Sequence, residues 1–132
     1  MKAEFKIKRE ILRAAQTDNP DEFKFGPLET AEQIESAYEV LVEADAHWDY
    51  ESDLRSGDVD TNVPCPSDRH YESKSVAIQT DEGDWIGWTY WFGGGKYGEP
   101  QAIEWMSEAY DLLCKEEEKM VVVRTFELKE KV

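Results

Sequence analysis

The stretch Ser75-Val-Ala-Ile-Gln-Thr-Asp-Glu-Gly-Asp-Trp-Ile-Gly-Trp-Thr-Tyr-Trp-Phe92 decides how the chain folds. Ser75 to Thr80 and Trp85 to Phe92 are rich in β-branched and aromatic side chains, and Asp81-Glu82-Gly83-Asp84 between them is turn chemistry. Two such runs around a short polar turn read as a β-hairpin. In the second run Trp85, Gly87, Thr89 and Trp91 alternate with Ile86, Trp88, Tyr90 and Phe92, so aromatic surface falls on both faces. That suits a central strand with a helix on one side and a groove or loop on the other.

Upstream of the hairpin, Asp49 to Tyr71 is densely charged, contains Ser56-Gly57, Pro64 and Pro66, and shows no periodicity. It reads as an irregular acidic loop over 49–72. Before it, Thr30 followed by Gln33 makes a capping box, and Ile34, Ala37, Tyr38, Leu41 and Val42 recur at helical spacing to about Ala46. Thr17 to Gly26, with Asp18-Asn19-Pro20-Asp21, is a loop. Residues 2–12 alternate Lys2, Glu4, Lys6, Lys8 and Glu10 with Ala3, Phe5, Ile7, Arg9 and Ile11, the period of a half-buried strand.

Downstream, Pro100 opens an expected helix with Ile103, Met106, Tyr110 and Leu113 inward, ending near Glu117, and Val121 to Leu128 reads as a last strand. The resulting order, β-α-β-β-α-β, is that of a ferredoxin-like α+β sandwich: one largely antiparallel sheet with two helices. At 132 residues with no linker-like stretch, residues 1–132 read as a single domain. Such a topology hosts many unrelated activities and does not by itself give a function.

Charge restricts function more sharply. Thirty acidic side chains stand against fifteen basic ones, a formal −15, yet the chain is 40% hydrophobic with five Trp, six Tyr and five Phe. That apolar content supports a folded core. Residues 1–15 hold five bases and two acids, residues 16–72 three bases and sixteen acids, and residues 73–132 seven bases and twelve acids. The acidity therefore concentrates in the capped helix and the loop after it. Such a field repels nucleic-acid phosphates and anionic membranes and attracts basic surfaces. No apolar signal run or membrane-length segment is present, so the chain reads as cytoplasmic; Cys65 and Cys114 are too few for a disulfide scaffold.

On the capped helix Glu32, Glu35, Glu39 and Glu43 recur at spacings of three and four with no cation four residues away. Like charges so placed cost a few tenths of a kcal/mol each (~0.2–0.5). A solvated helix face accounts for this plainly. The functional alternative is that these carboxylates, continued by Asp49, Glu51, Asp53, Asp58 and Asp60, imitate a run of phosphates and occupy a groove that binds nucleic acid through its backbone. Trp88 or Tyr90 would add an apolar anchor. The expected function is thus a non-enzymatic acidic binding protein, of the kind phages and mobile elements use to inhibit defence enzymes, with a basic nucleic-acid-binding protein as partner. Direct contact with nucleic acid or membrane is not expected. The alternatives are a small domain that dimerises or binds a small ligand through an aromatic sheet face, and a metal-dependent enzyme.

Other motifs weigh less. Gly93-Gly94-Gly95-Lys96-Tyr97-Gly98 matches G-x-G-x-x-G, but Glu99 stands where a pyrophosphate would sit and no second mononucleotide half follows. Its glycines are expected to take positive φ in a flexible connection. His47, Cys65, His70 and Cys114 are potential zinc ligands without paired C-x-x-C spacing, and Asp58, Asp60 and Asn62 start a calcium-like loop that Val63 and Arg69 break. His47 near Asp45 and Asp49, and His70 beside Asp68, are the candidate general bases, with no nucleophile or triad signature beside them. No cofactor or metal is expected.

Overall fold

The computed structural model of the chain describes residues 1–130. Three helices come first, α1 (Ala3–Asp18), α2 (Ala31–Glu43) and α3 (Trp48–Arg55), followed by strands β1 (Val59–Asp60), β2 (Glu72–Gln79), β3 (Trp85–Phe92) and β4 (Tyr110–Leu112). The sheet is an antiparallel meander in the order β1-β2-β3-β4. The protein is therefore α+β with an antiparallel sheet, but the ferredoxin-like order and its two helices are replaced by three helices and then four strands.

The hairpin is where the sequence put it. Gln79 pairs with Trp85 and Glu72 with Phe92, so β2 starts earlier than Ser75 and stops one residue before Thr80. Thr80 and Asp84 close the turn through a 2.8 Å backbone bond, with Gly83 at φ +95. Val76, Ile78, Ile86 and Trp88 face the helices and are buried, and the Trp88 indole donates to the Arg55 carbonyl at 2.7 Å.

The expected strand over residues 2–12 is instead helix from Ala3 on, with Lys2 as its N-cap. Ala3, Ile7, Ile11, Leu12 and Ala15 are buried on one stripe of α1 and pack against α2's Ile34, Ala37, Tyr38 and Leu41 and the inner face of β3. Spacings of four satisfy a period of 3.6 and a period of 2 alike, and Leu12, buried next to Ile11, is the residue that only the helix explains. Glu4–Lys8 (3.4 Å) and Glu10–Arg13 (3.1 Å) are intrahelical ion pairs of the matching spacing. The capping box on α2 forms as read, with Thr30 accepting from the Gln33 N–H at 3.2 Å and Gln33 accepting from the Thr30 N–H at 3.1 Å.

The acidic loop begins as α3, whose Tyr50 and Leu54 pack on the core and whose Asp49 and Glu51 stand at its positive end and Arg55 at its negative end. Only Ser56 to Tyr71 then remains outside long elements. Gly57 passes so close to β2 on its helix-facing side that a Cβ there would lie 2.6 Å from the Val76 side chain. The chain from Val59 to Pro66 lies against β2, with Ser75 and Ser73 hydroxyls donating to the Val63 and Pro66 carbonyls.

No helix spans Pro100 to Glu117. Pro100–Ala102 is one 3-10 turn, Trp105 and Met106 are buried side by side, and Tyr110–Leu112 pairs with Trp85–Gly87. The reason is the bare Cα of Gly87: a Cβ there would meet Leu112 at 2.7 Å and Tyr110 at 2.9 Å, so these side chains fill a slot that a helix could not enter. Val121 to Leu128 forms no strand among the described residues and is exposed along its length.

The polar side of α1 grips the hairpin turn. Lys6 Nζ lies 3.0 Å from Asp84 and 2.7 Å from Asp111; Arg9 reaches Glu82 at 3.2 Å; Arg13 forks onto Glu82 and approaches Asp81 at 3.6 Å. Glu10, its carboxyl pushed up by burial, accepts the Asp81 N–H at 3.2 Å. The Arg13 hydrogen bond, helped by Arg9's charge, holds the Glu82 carboxyl down to about 2. A carboxyl depressed in the fold stabilises it fully above its unfolded pKa, and that contribution fades as pH falls from 4.5 towards about 2. Glu82→Gln is therefore expected to lower stability at pH 7, with the gap to the parent closing through this window, as chemical denaturation at a series of pH values will measure.

Candidate protein-binding face

Three of the four α2 glutamates share the outward face. At ~100° per residue, Glu32, Glu39 and Glu43 fall within an arc of roughly 40° opposite the buried Ile34–Leu41 stripe. All three are exposed and, among the described residues, make no ion pair. Glu35 turns to the flank, where its carboxylate meets Lys8 at 3.0 Å. The stripe thus loses one member to an N-terminal lysine and keeps the rest.

Two hollows join this face to α3. A groove of about 530 Å³ runs between α2 and the chain at 22–27, with Phe23, Phe25, Ala37 and Val40 as its apolar wall and Glu22 and Glu32 on its rim. The neighbouring hollow, also about 530 Å³, is lined by Asp18, Glu22, Asp49 and Asp53 with Tyr50. Glu22 and Phe23 belong to both. Lys24 is the one cation among the residues lining either. The acidic surface is consequently continuous from Glu32 across the 22–23 chain to Asp49 and Asp53, and the stacked Phe23–Phe25 pair, 5.7 Å between ring centroids, floors part of it.

The remaining expected residues lie elsewhere. Glu51 turns inward and accepts a hydrogen bond from the Tyr38 hydroxyl; burial first, and then this bond, drives the Tyr38 phenol well above its ordinary range. Asp60 is tied to Lys74 at 3.2 Å on the sheet edge, with Asp58 two residues before it and outside both hollows. Trp88 is wholly buried and cannot serve as an anchor. Tyr90 is half-buried beneath Arg55, 4.9 Å from its ring, and beside Lys74. The aromatic at the acidic surface is instead Trp48, 59% exposed, whose indole donates to Asp45 at 2.8 Å and whose ring packs, tilted by 36°, against the buried His47. Sequence reading missed Trp48, Phe23 and Phe25. A Trp immediately after a turn of acids, off any apolar stripe, was the available signal for the first.

The other motifs find no shared site. The glycine loop has Gly93, Gly94 and Gly95 at positive φ, packs on Tyr71 and leads to a single 3-10 turn, so no helix N-terminus faces it. Cys65 lies 3.7 Å from the Ser73 hydroxyl, Cys114 is exposed, and His70 sits in the exposed loop with its N–H on Asp68. Among the described residues no three His, Cys, Asp or Glu side chains converge as a metal requires. Nor, among them, is any helix long and apolar enough to cross a membrane. The outer sheet face, which the alternative reading would use as an aromatic binding surface, has Ser75, Ala77, Gly87 and Thr89 buried, and its aromatics Trp85 and Trp91 are half-buried.

Comparison with protein-family models, curated proteins and solved structures finds no match for the chain.

The two tryptophans should separate cleanly. Trp48→Ala is expected to change unfolding free energy by no more than about 0.5 kcal/mol, whereas Trp88→Ala should cost about 3–5 kcal/mol. Urea denaturation of both variants measures this.

Proposed function

We propose that the protein is an acidic, non-enzymatic binding protein that occupies the basic groove of a nucleic-acid-handling partner. The observation that carries this reading is the acidic surface from α2 to α3, where Lys24 is the one cation lining the two hollows and the α1 cations Lys6, Lys8, Arg9 and Arg13 are engaged elsewhere. Glu32, Glu39, Glu43, Asp49 and Asp53 supply charge along a rigid helical frame. Trp48 and the Phe25 and Val40 wall of the groove supply the apolar contact that a purely electrostatic surface lacks.

A groove that reads nucleic acid through phosphates selects for spacing and density of negative charge more than for chemical identity. Carboxylates on two helices meet that requirement without a flexible chain to order. Inhibition follows by occupancy: the decoy and the nucleic acid compete for the same basic side chains. Encounter is fast and salt-sensitive, and the apolar contact then slows release.

Capture from a bacterial lysate on the immobilised protein, at low and at high salt, tests this. The reading expects retained proteins to be basic and nucleic-acid-binding, to elute with salt, and to lose nucleic-acid binding when the soluble protein is added. Glu32→Lys with Glu39→Lys is expected to slow association at least about tenfold at low salt with little change at high salt. Partners that are neither basic nor displaced from nucleic acid would overturn it.

A further inference from the structure

Residues 113–130 leave the sheet after β4 and run over the surface, with Met120, Val121, Val122, Val123, Phe126 and Leu128 each 78–102% exposed. Three consecutive valines, Thr125 and Phe126 are strand formers, and no Gly or Pro interrupts them. So long an exposed apolar run in a chain of formal charge −15 requires a cover. From Glu117 to Lys129 its charges balance, three acids against three bases, unlike the helical body.

We infer that this segment pairs with the same segment of a second copy, as an antiparallel two-stranded ribbon whose two-fold axis passes through Val123. The argument is the charge register. An antiparallel self-pairing centred on Val123 sets Lys119 opposite Glu127 and Glu117 opposite Lys129, each twice by symmetry, with Met120 opposite Phe126 and Val121 opposite Thr125. A shift of the pairing in one direction opposes Glu118 to Glu127, then Glu117 to Glu127. In the other direction both ion pairs break, with Glu117 facing Glu130 and only Glu118–Lys129 gained, and then Lys119 faces Lys129. The ribbon ends where Glu116 would oppose Glu130.

An isolated two-stranded ribbon is marginal in water, and this one has a place to rest. A hollow of about 400 Å³ lined by Val59, Val63, Trp85, Leu112 and Leu113 opens where the segment departs. Met120, Val122, Phe126 and Leu128 share one face of the ribbon with Arg124 by strand alternation, and the apolar part of that face covers the hollow. Dimerisation here leaves the acidic helical face free, so the inference stands independently of the function proposed above.

Sedimentation equilibrium of the full chain at tens of micromolar tests it. A dimer is expected, and Val123→Pro is expected to yield a monomer with an unchanged thermal transition, because the segment contributes nothing to the core. Lys119→Glu, which opposes like charges twice, should weaken the dimer at least about tenfold, and Lys119→Glu with Glu127→Lys should restore it. The inference is overturned by a parent that stays monomeric, including one whose 121–126 amides are protected by folding back on their own sheet, by a dimer that survives Val123→Pro, or by a charge swap that fails to restore pairing.

Discussion

The grip of α1 on the β2–β3 turn is the interaction on which the rest depends. Lys6, Arg9 and Arg13 meet Asp81, Glu82 and Asp84 across the boundary between the helical layer and the sheet, with Lys6 reaching Asp111 on β4 as well. Single exposed ion pairs contribute little, but here the side chains of Lys6 and Arg9 are only 14% and 11% exposed and several carboxylates share three cations. The network agrees with the roll of α1 that its apolar stripe demands, in which Ile7, Ile11 and Leu12 enter the core. It also ties these three cations to the turn, away from the helical face.

That withdrawal links fold to function. In residues 16–72 the acids outnumber the bases sixteen to three, and Arg55 is bound to the Trp91 carbonyl and the Tyr90 ring. Lys8 takes Glu35, and among the described residues no comparable partner reaches Glu32, Glu39 or Glu43. The cost of crowding these charges on α2 is offset by the Ile34, Ala37, Tyr38 and Leu41 stripe beneath them and by a complete capping box. A helix anchored so firmly from below can hold an uncompensated face above.

Much of this was legible in the residues, and the failures have physical causes. The hairpin and α2 were readable because each carries two independent signals, alternation with turn chemistry in one and period with a cap in the other. Residues 2–12 carried one signal, and it was degenerate: positions 3, 7 and 11 satisfy both periods, so Leu12 and the Glu4–Lys8 pair should have decided the matter. Residues 100–117 have respectable helix propensity, yet the unpaired edge of β3 and the slot at Gly87 drew Tyr110 and Leu112 into the sheet, a tertiary demand no local pattern reveals. On the acidic face, spacing identified Glu32, Glu39 and Glu43, whereas the inward turn of Glu51 and the burial of Trp88 depended on packing.

The central claim is that negative potential is gathered on the α2–α3 side and cancelled on the α1–hairpin side. Paramagnetic relaxation of amide protons by a cationic and by an anionic nitroxide, recorded on the same sample, reads this potential residue by residue. The account predicts the largest cationic-to-anionic ratio along residues 32–53 and a ratio near that of a neutral surface along residues 6–13 and 81–84. A ratio uniform over the molecule, or highest at the hairpin turn, would contradict it.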